Sequence, residues 1–129
     1  MNKVLEKINN EQLQLIPKVQ EYIQYMLETL LKLPRTEKFS IGNEYKSSMY
    51  KLLEYILYVS KIEKEQRLEC INKIDAELNC QRIYLRIMYK NRWINDKKFN
   101  VAITKIGEIG KMVGGLVKYY VKNNKEWIW

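Results

Sequence analysis

Cys80-Gln81-Arg82-Ile83-Tyr84-Leu85-Arg86-Ile87-Met88-Tyr89-Lys90-Asn91-Arg92-Trp93 is the stretch whose reading decides the fold. No glycine or proline interrupts it, and its apolar residues recur at helical spacing. At about 100° per residue, Leu85 and Met88 fall on one side of an α-helix while Cys80, Ile83 and Ile87 fall on the opposite side. Arg82, Arg86 and Lys90, at i, i+4 and i+8, occupy the polar band between the two. An ordinary surface helix has a single apolar stripe. A helix with two stripes and cations between them has a core to pack against, a second apolar contact to make, and a basic stripe left over.

Moving toward the N-terminus along the same helix, Ile71, Ile74 and Leu78 lead into Leu85 and Met88 as the first seam. Ala76 leads into Cys80, Ile83 and Ile87 as the second. The preceding helix opens after Ser40, a candidate N-cap, and carries the seam Ile41, Tyr45, Met49, Leu52, Ile56 and Val59. A second row, Tyr50, Leu53 and Leu57, lies roughly opposite. Further upstream Ile16, Val19, Ile23, Met26, Leu30 and Leu33 step by about three and four residues, the spacing of one buried helix face. Pro17 suits the first turn of that helix, and Pro34 ends it. Downstream, Asn91 to Asp96 form a loop in which Asn95 or Asp96 caps the last helix. Its seam is Phe99, Ile103, Ile106, Gly110, Val113, Val117 and Tyr120. Gly107, Gly110 and Gly114 share one side of it, where close approach of another backbone is the expected reason for glycine.

The pattern predicts an all-α, antiparallel four-helix bundle in a single domain over residues 16–122, with a polar lead-in at 1–15 and a basic, aromatic tail at 123–129. A lone bundle needs one apolar stripe per helix. Tyr50, Leu53, Leu57, Ala76, Cys80, Ile83 and Ile87 are therefore expected to form an oligomer interface.

Composition narrows the chemistry. The 129 residues include 23 Lys and Arg against 15 Asp and Glu, a formal charge of +8, which points to a polyanionic partner. There is no histidine, so the commonest general base and metal ligand is missing. Cys70 and Cys80, about 15 Å apart along one helix, can neither bridge each other nor make a zinc site alone. They read as small apolar residues of a reducing, cytoplasmic compartment. Met1 to Gln14 lacks the continuous apolar run of a signal peptide, and no run is long enough for a membrane span. No phosphate loop, dinucleotide turn or nucleophile elbow is present. The acids Glu63, Glu65, Glu69, Asp75 and Glu77 are interspersed with cations. Catalysis, a cofactor and a metal are not expected. The basic stripe is the remaining signal. Its steps of about 6 Å along the helix approach the phosphate repeat of an extended strand, and arginine's planar fork suits phosphate. Arg82, Arg86 and Lys90 are the candidate nucleic-acid ligands, extended by Arg92 and Lys111 if the last two helices are antiparallel neighbours. Tyr84, Tyr89, Trp93, Trp127 and Trp129 supply aromatic faces for stacking.

Three segments together resemble a known family. They are Leu33-Pro34-Arg35 leading into Phe39-Ser40-Ile41-Gly42, then Arg82-Ile83-Tyr84-Leu85-Arg86-Ile87, then Glu108-Ile109-Gly110-Lys111-Met112-Val113-Gly114-Gly115-Leu116-Val117-Lys118. In this order and spacing they resemble the accessory variability determinant (Avd) proteins of diversity-generating retroelements, over roughly residues 16–120. The resemblance implies a basic, ring-like homopentamer of four-helix bundles. It also implies a non-catalytic partner of the reverse transcriptase that contacts template-repeat RNA, and possibly complementary DNA, during mutagenic complementary-DNA synthesis and retrohoming. By position, the family's paired arginines fall on Arg82 and Arg86, its basic residue between glycines on Lys111, and its close-packing glycines on Gly110 and Gly114. Leu116 stands where the family often has an aromatic. A four-helix family encoded in ribosomal-RNA intervening sequences shares the fold and the Gly-containing start of the second helix. A module that contacts protein only is the other alternative.

Overall fold

In a computed structural model, which describes the backbone of residues 2–128 and the side chains of residues 14–119, four long helices and one single turn follow in chain order. They are α1 (Asn2–Leu30), α2 (Arg35–Lys38), α3 (Ile41–Tyr58), α4 (Lys64–Lys90) and α5 (Asp96–Ile128). There is no strand among the described residues. Packing runs α1 on α3 and α5, and α4 on α3 and α5, the neighbour relations of an antiparallel bundle with short connections.

The seams on α1, α3 and α4 form the core. Val19, Ile23, Met26, Leu30 and Leu33 are buried, as are Tyr45, Met49, Leu52, Ile56 and Val59, and Ile71, Ile74, Leu78, Leu85 and Met88. The α5 seam needs correction. Its buried row is Ala102, Ile106, Ile109, Val113 and Leu116, whereas Phe99, Ile103, Gly110 and Val117 are half-buried; the Tyr120 side chain lies outside the described residues. The reason is that α5 is packed on two sides. Phe99 stacks on Tyr89 of α4, with ring centroids 4.4 Å apart and planes at 13°. On the other flank Lys105 pairs with Glu21 of α1 at 3.0 Å and Glu108 with Lys18 at 3.7 Å. The Glu21 carboxyl is held below its ordinary range by the Lys105 hydrogen bond first. The residues that look like the centre of the stripe are thus its α4-facing edge.

The first helix also starts earlier than expected. The lead-in is part of α1, and Pro17 sits inside that helix, at a cost of about 3 kcal/mol in a helix interior. Leu15 and Val19, on either side of it, are both fully buried, so the core holds the helix across the proline. At the far end, α5 carries the tail to Ile128; the side chains of Trp127 and Trp129 lie outside the described residues. The link after Pro34 contains the turn α2. Ser40 precedes α3, but its side chain makes no cap hydrogen bond. Asn95 is the cap of α5, its Oδ1 accepting from the Lys98 amide at 2.8 Å.

The core contains one polar chain. The Tyr22 and Tyr45 hydroxyls are hydrogen-bonded to each other, and Tyr22 donates to Gln81 Oε1 at 2.6 Å. Gln81 Nε2 donates to Ser48 Oγ at 2.9 Å, and Ser48 Oγ donates to Glu77 Oε1 at 3.0 Å. The chain crosses α1, α3 and α4, so each buried polar atom finds a partner on a different helix. Burial first, and for Tyr22 the neighbouring Tyr45 next, pushes both phenols up from their ordinary value. An unfolded tyrosine ionises near pH ~10, where the buried pair stays neutral. The raised folded-state value means that stability is present in full below about pH 10 and is lost as pH rises beyond it. Urea midpoints are expected to hold steady up to about pH 9 and fall above about pH 10, and the Tyr22→Phe, Tyr45→Phe double variant is expected to flatten that fall.

Candidate nucleic-acid interface

The cations of α4 lie where the helical spacing puts them. Arg86 and Lys90 are exposed, Arg82 is half-buried, and Arg92 and Lys111 are exposed on the loop and on α5. No carboxylate among the described residues pairs with Arg86, Lys90, Arg92 or Lys111. The ion pairs Lys105–Glu21 and Lys18–Glu108 both lie between α1 and α5, and among the described residues the cations of the stripe keep their positive charge unneutralised.

Arg82 differs from the other four. Its Nη1 donates to Asn79 Oδ1 at 2.7 Å, and its Nη2 lies 3.1 Å from where a Cβ on Gly110 would be. Its charge also opposes the upward shift of the Tyr22 phenol. The guanidinium therefore rests on α5 in the groove between the helices, held from one side by Asn79. Helices α4 and α5 are antiparallel neighbours, which brings Lys111, the residue after Gly110, next to this groove.

The glycines do not act as expected within one chain. A Cβ on Gly107 or Gly114 would meet nothing within 4 Å, so neither admits a neighbouring backbone inside the subunit. Gly110 admits the Arg82 side chain. The close backbone approach is at Gly42, which is buried and whose Cβ would sit 3.2 Å from the Glu37 carbonyl oxygen and 3.5 Å from Leu33 Cδ1. Because the Arg82 head is the flexible end of a side chain, Gly110→Ala is expected to raise stability by about 0.5–1 kcal/mol through helix propensity. The same substitution is expected to displace Arg82 and, if the stripe binds nucleic acid, to weaken that binding. Urea unfolding and a binding titration on the same variant read the two effects with opposite signs.

The second apolar rows lie on the outside of the bundle. Ile83 is 48% exposed, Ile87 41%, Tyr50 45% and Leu57 47%; Ala76 is exposed, and Leu53 and Cys80 are half-buried. The Tyr84 phenol is pushed up to about 12, by the neighbouring Cys80 thiol first and by burial next. The rows face different ways. Ser48 and Tyr55 mark the flank of α3 turned to α4, through Ser48–Glu77 and through Cys70 Sγ donating to the Tyr55 carbonyl at 3.5 Å. Leu53 and Leu57 lie about half a turn round the helix from these. The α3 row is therefore turned away from α4, and the α4 row does not merge with it. Leu31 and Phe39, 63% and 70% exposed, join the apolar surface near the α1–α3 link. Neither stands in a helical row, so periodicity did not single them out.

Comparison with known proteins was decisive for the family. A family model described as bAvd-like matches residues 13–120. The chain belongs to the bAvd-like family. The matched span takes in the buried seams of all four long helices and every cation of the stripe. A search of curated proteins gave no match. Among solved structures the chain is similar to a protein of unknown function from the S23 ribosomal protein family of Bacteroides thetaiotaomicron. The identity is 14%, the TM-score 0.76, and the match covers 84% of this chain and 98% of that one. At that identity the likeness shows a shared fold. No helix among the described residues is long and apolar enough to cross a membrane.

Proposed function

We propose that this bAvd-like chain is a non-catalytic accessory protein of a diversity-generating retroelement. It assembles into a ring-like homopentamer in the cytoplasm, holds the reverse transcriptase, and binds template RNA through its basic stripe during mutagenic complementary-DNA synthesis and retrohoming. The observation that carries this reading is the set of unpaired cations Arg86, Lys90, Arg92 and Lys111 around the anchored Arg82, in a chain of this family. Phosphate contacts of this kind bind RNA with little regard to sequence and release counterions. Repeating them around a ring multiplies weak contacts at high local concentration.

The two apolar rows support a ring. An interface that joins a surface to a different surface of the next copy is heterologous and closes into a ring when the rotation permits. The α4 row of one subunit against the α3 row of the next is such a pairing. Ile83→Asp with Ile87→Asp is expected to convert the assembly to monomers in sedimentation at micromolar concentration. A monomeric wild-type protein would reject the assembly. For the partner, a reverse-transcriptase reading frame beside this one is the expected finding, with its product copurifying with this chain. A transcriptase that is not retained rejects that part of the reading.

A further inference from the structure

The end of the bundle where α4 turns into α5 carries a feature that the stripe does not account for. Helix α4 closes with the Trp93 amide donating to the Met88 carbonyl at 2.9 Å and the Arg92 amide to the Tyr89 carbonyl at 2.9 Å. This is the Schellman arrangement, whose left-handed position usually belongs to glycine. Here that position is Arg92, with φ 61°, and it is the one non-glycine residue with positive φ in the chain's described backbone. An arginine at a glycine site is a local cost to the fold.

Around it lies an open cleft of about 910 Å³. Lys90, Arg92 and Lys97 bring three cations to its lining, against one carboxylate, Asp96. That carboxylate is occupied: the Tyr89 hydroxyl donates to it at 2.5 Å, a bond that raises the Tyr89 phenol from its ordinary value. None of the three cations has a partner among the described residues. The aromatic part is built as well. Tyr89 is stacked on Phe99 and fixed at its hydroxyl, so its ring cannot swing, and Trp93 is half-buried beside it in the lining. Fixed aromatic faces beside unpaired cations match a nucleotide, with a base to stack and a phosphate to bind.

We infer that this cleft is a subsite for one unstacked nucleotide of single-stranded RNA, the base against Trp93 and Tyr89 and its flanking phosphates on Arg92, Lys90 and Lys97. A paired base has both faces covered, so the site selects single strands over duplex. The subsite rests on the RNA-binding reading above and adds to it a location and a strand preference.

Arg92→Gly tests it without harming the fold, because glycine is the residue that the turn favours. Its thermal midpoint is expected to equal or exceed that of the wild type. Binding of a fluorescent single-stranded RNA oligonucleotide and of an RNA duplex is measured for both proteins, and ultraviolet crosslinks to the oligonucleotide are mapped by mass spectrometry. The expected result has three parts: crosslinks at Trp93 or Tyr89, an affinity for the single strand about tenfold lower in Arg92→Gly, and a salt slope shallower by about 0.7, with the duplex little changed. Wild-type binding with an unchanged Arg92→Gly affinity and crosslinks elsewhere overturns the subsite and removes Arg92 from the stripe, leaving Arg86, Lys90 and Lys111 to carry the RNA reading. An equal loss for duplex overturns base stacking. No binding of either RNA by the wild type overturns the RNA reading itself, and preference of the cleft for an acidic peptide over RNA replaces the ligand class.

Discussion

Reversing Arg86 and Lys90 to glutamate is expected to lower RNA affinity about a hundredfold or more at ~0.1 M salt. On the proposed function each subunit would lose two phosphate contacts and gain two repulsions, and every subunit of the proposed assembly would carry the change. Both side chains are exposed and unpaired, so unfolding free energy is expected to stay within about 0.5 kcal/mol of the wild type. Arg82 is a poorer choice for reversal although it belongs to the same stripe. Its guanidinium lies against Gly110 and is held by Asn79, so a carboxylate there disturbs the α4–α5 groove as well as the binding surface. The pair Arg86 and Lys90 isolates charge from packing. RNA binding unchanged in that variant, with the assembly intact, is the outcome expected of a module that contacts protein only.

The second large effect is on stability. Gln81→Leu conserves volume but removes the acceptor of the Tyr22 hydroxyl and the donor to Ser48. It leaves a buried phenol short of a partner, at a cost of about 1–3 kcal/mol. That is a large share of the total stability of a domain, about 5–15 kcal/mol. The polar chain makes a sharper prediction through its non-additivity. In the triple variant Gln81→Leu, Tyr22→Phe and Tyr45→Phe, the partners disappear together and Ser48 keeps its bond to Glu77. Replacing both sides of a buried hydrogen bond by apolar groups of the same shape is close to neutral, so the triple variant is expected to unfold at a higher urea concentration than Gln81→Leu alone. A triple variant whose loss equals the sum of the single losses would show that the chain does not act as a network.

Much of this was legible in the residue order, and the exceptions have physical causes. The α4 seam skips from Leu78 to Leu85, and the missing step falls on Gln81, which is fully buried. The spacing marks the place, but a glutamine there is satisfied only by Tyr22 and Ser48, and those partners come from other helices. Tyr22 likewise stands between Val19 and Met26 at core spacing and is fully buried. The α5 row holds at Ile106 and Val113, which are buried, and departs at Phe99, Ile103, Gly110 and Val117, because a helix packed against two neighbours has a wide apolar arc, and periodicity finds its edges as readily as its centre. The glycines of α5 looked like backbone contacts, yet which side they face depends on the register of α4 against α5. That register is set by pairs such as Arg82 with Gly110 and Tyr89 with Phe99, far apart in sequence. The stripe itself was legible because it lies on a single helix. The loop at Asn91 to Asp96 and the residues Tyr89, Arg92 and Trp93 are legible too, but their gathering into one cleft depends on the left-handed turn at Arg92, which no glycine marks.

The most direct test of the central claim is a titration of RNA binding by the wild-type protein across salt concentration. The account predicts tight binding near about 50 mM salt and a linear fall of log affinity with log salt, with a slope of several units. No binding at about 50 mM salt, or an affinity that does not change with salt, would contradict it.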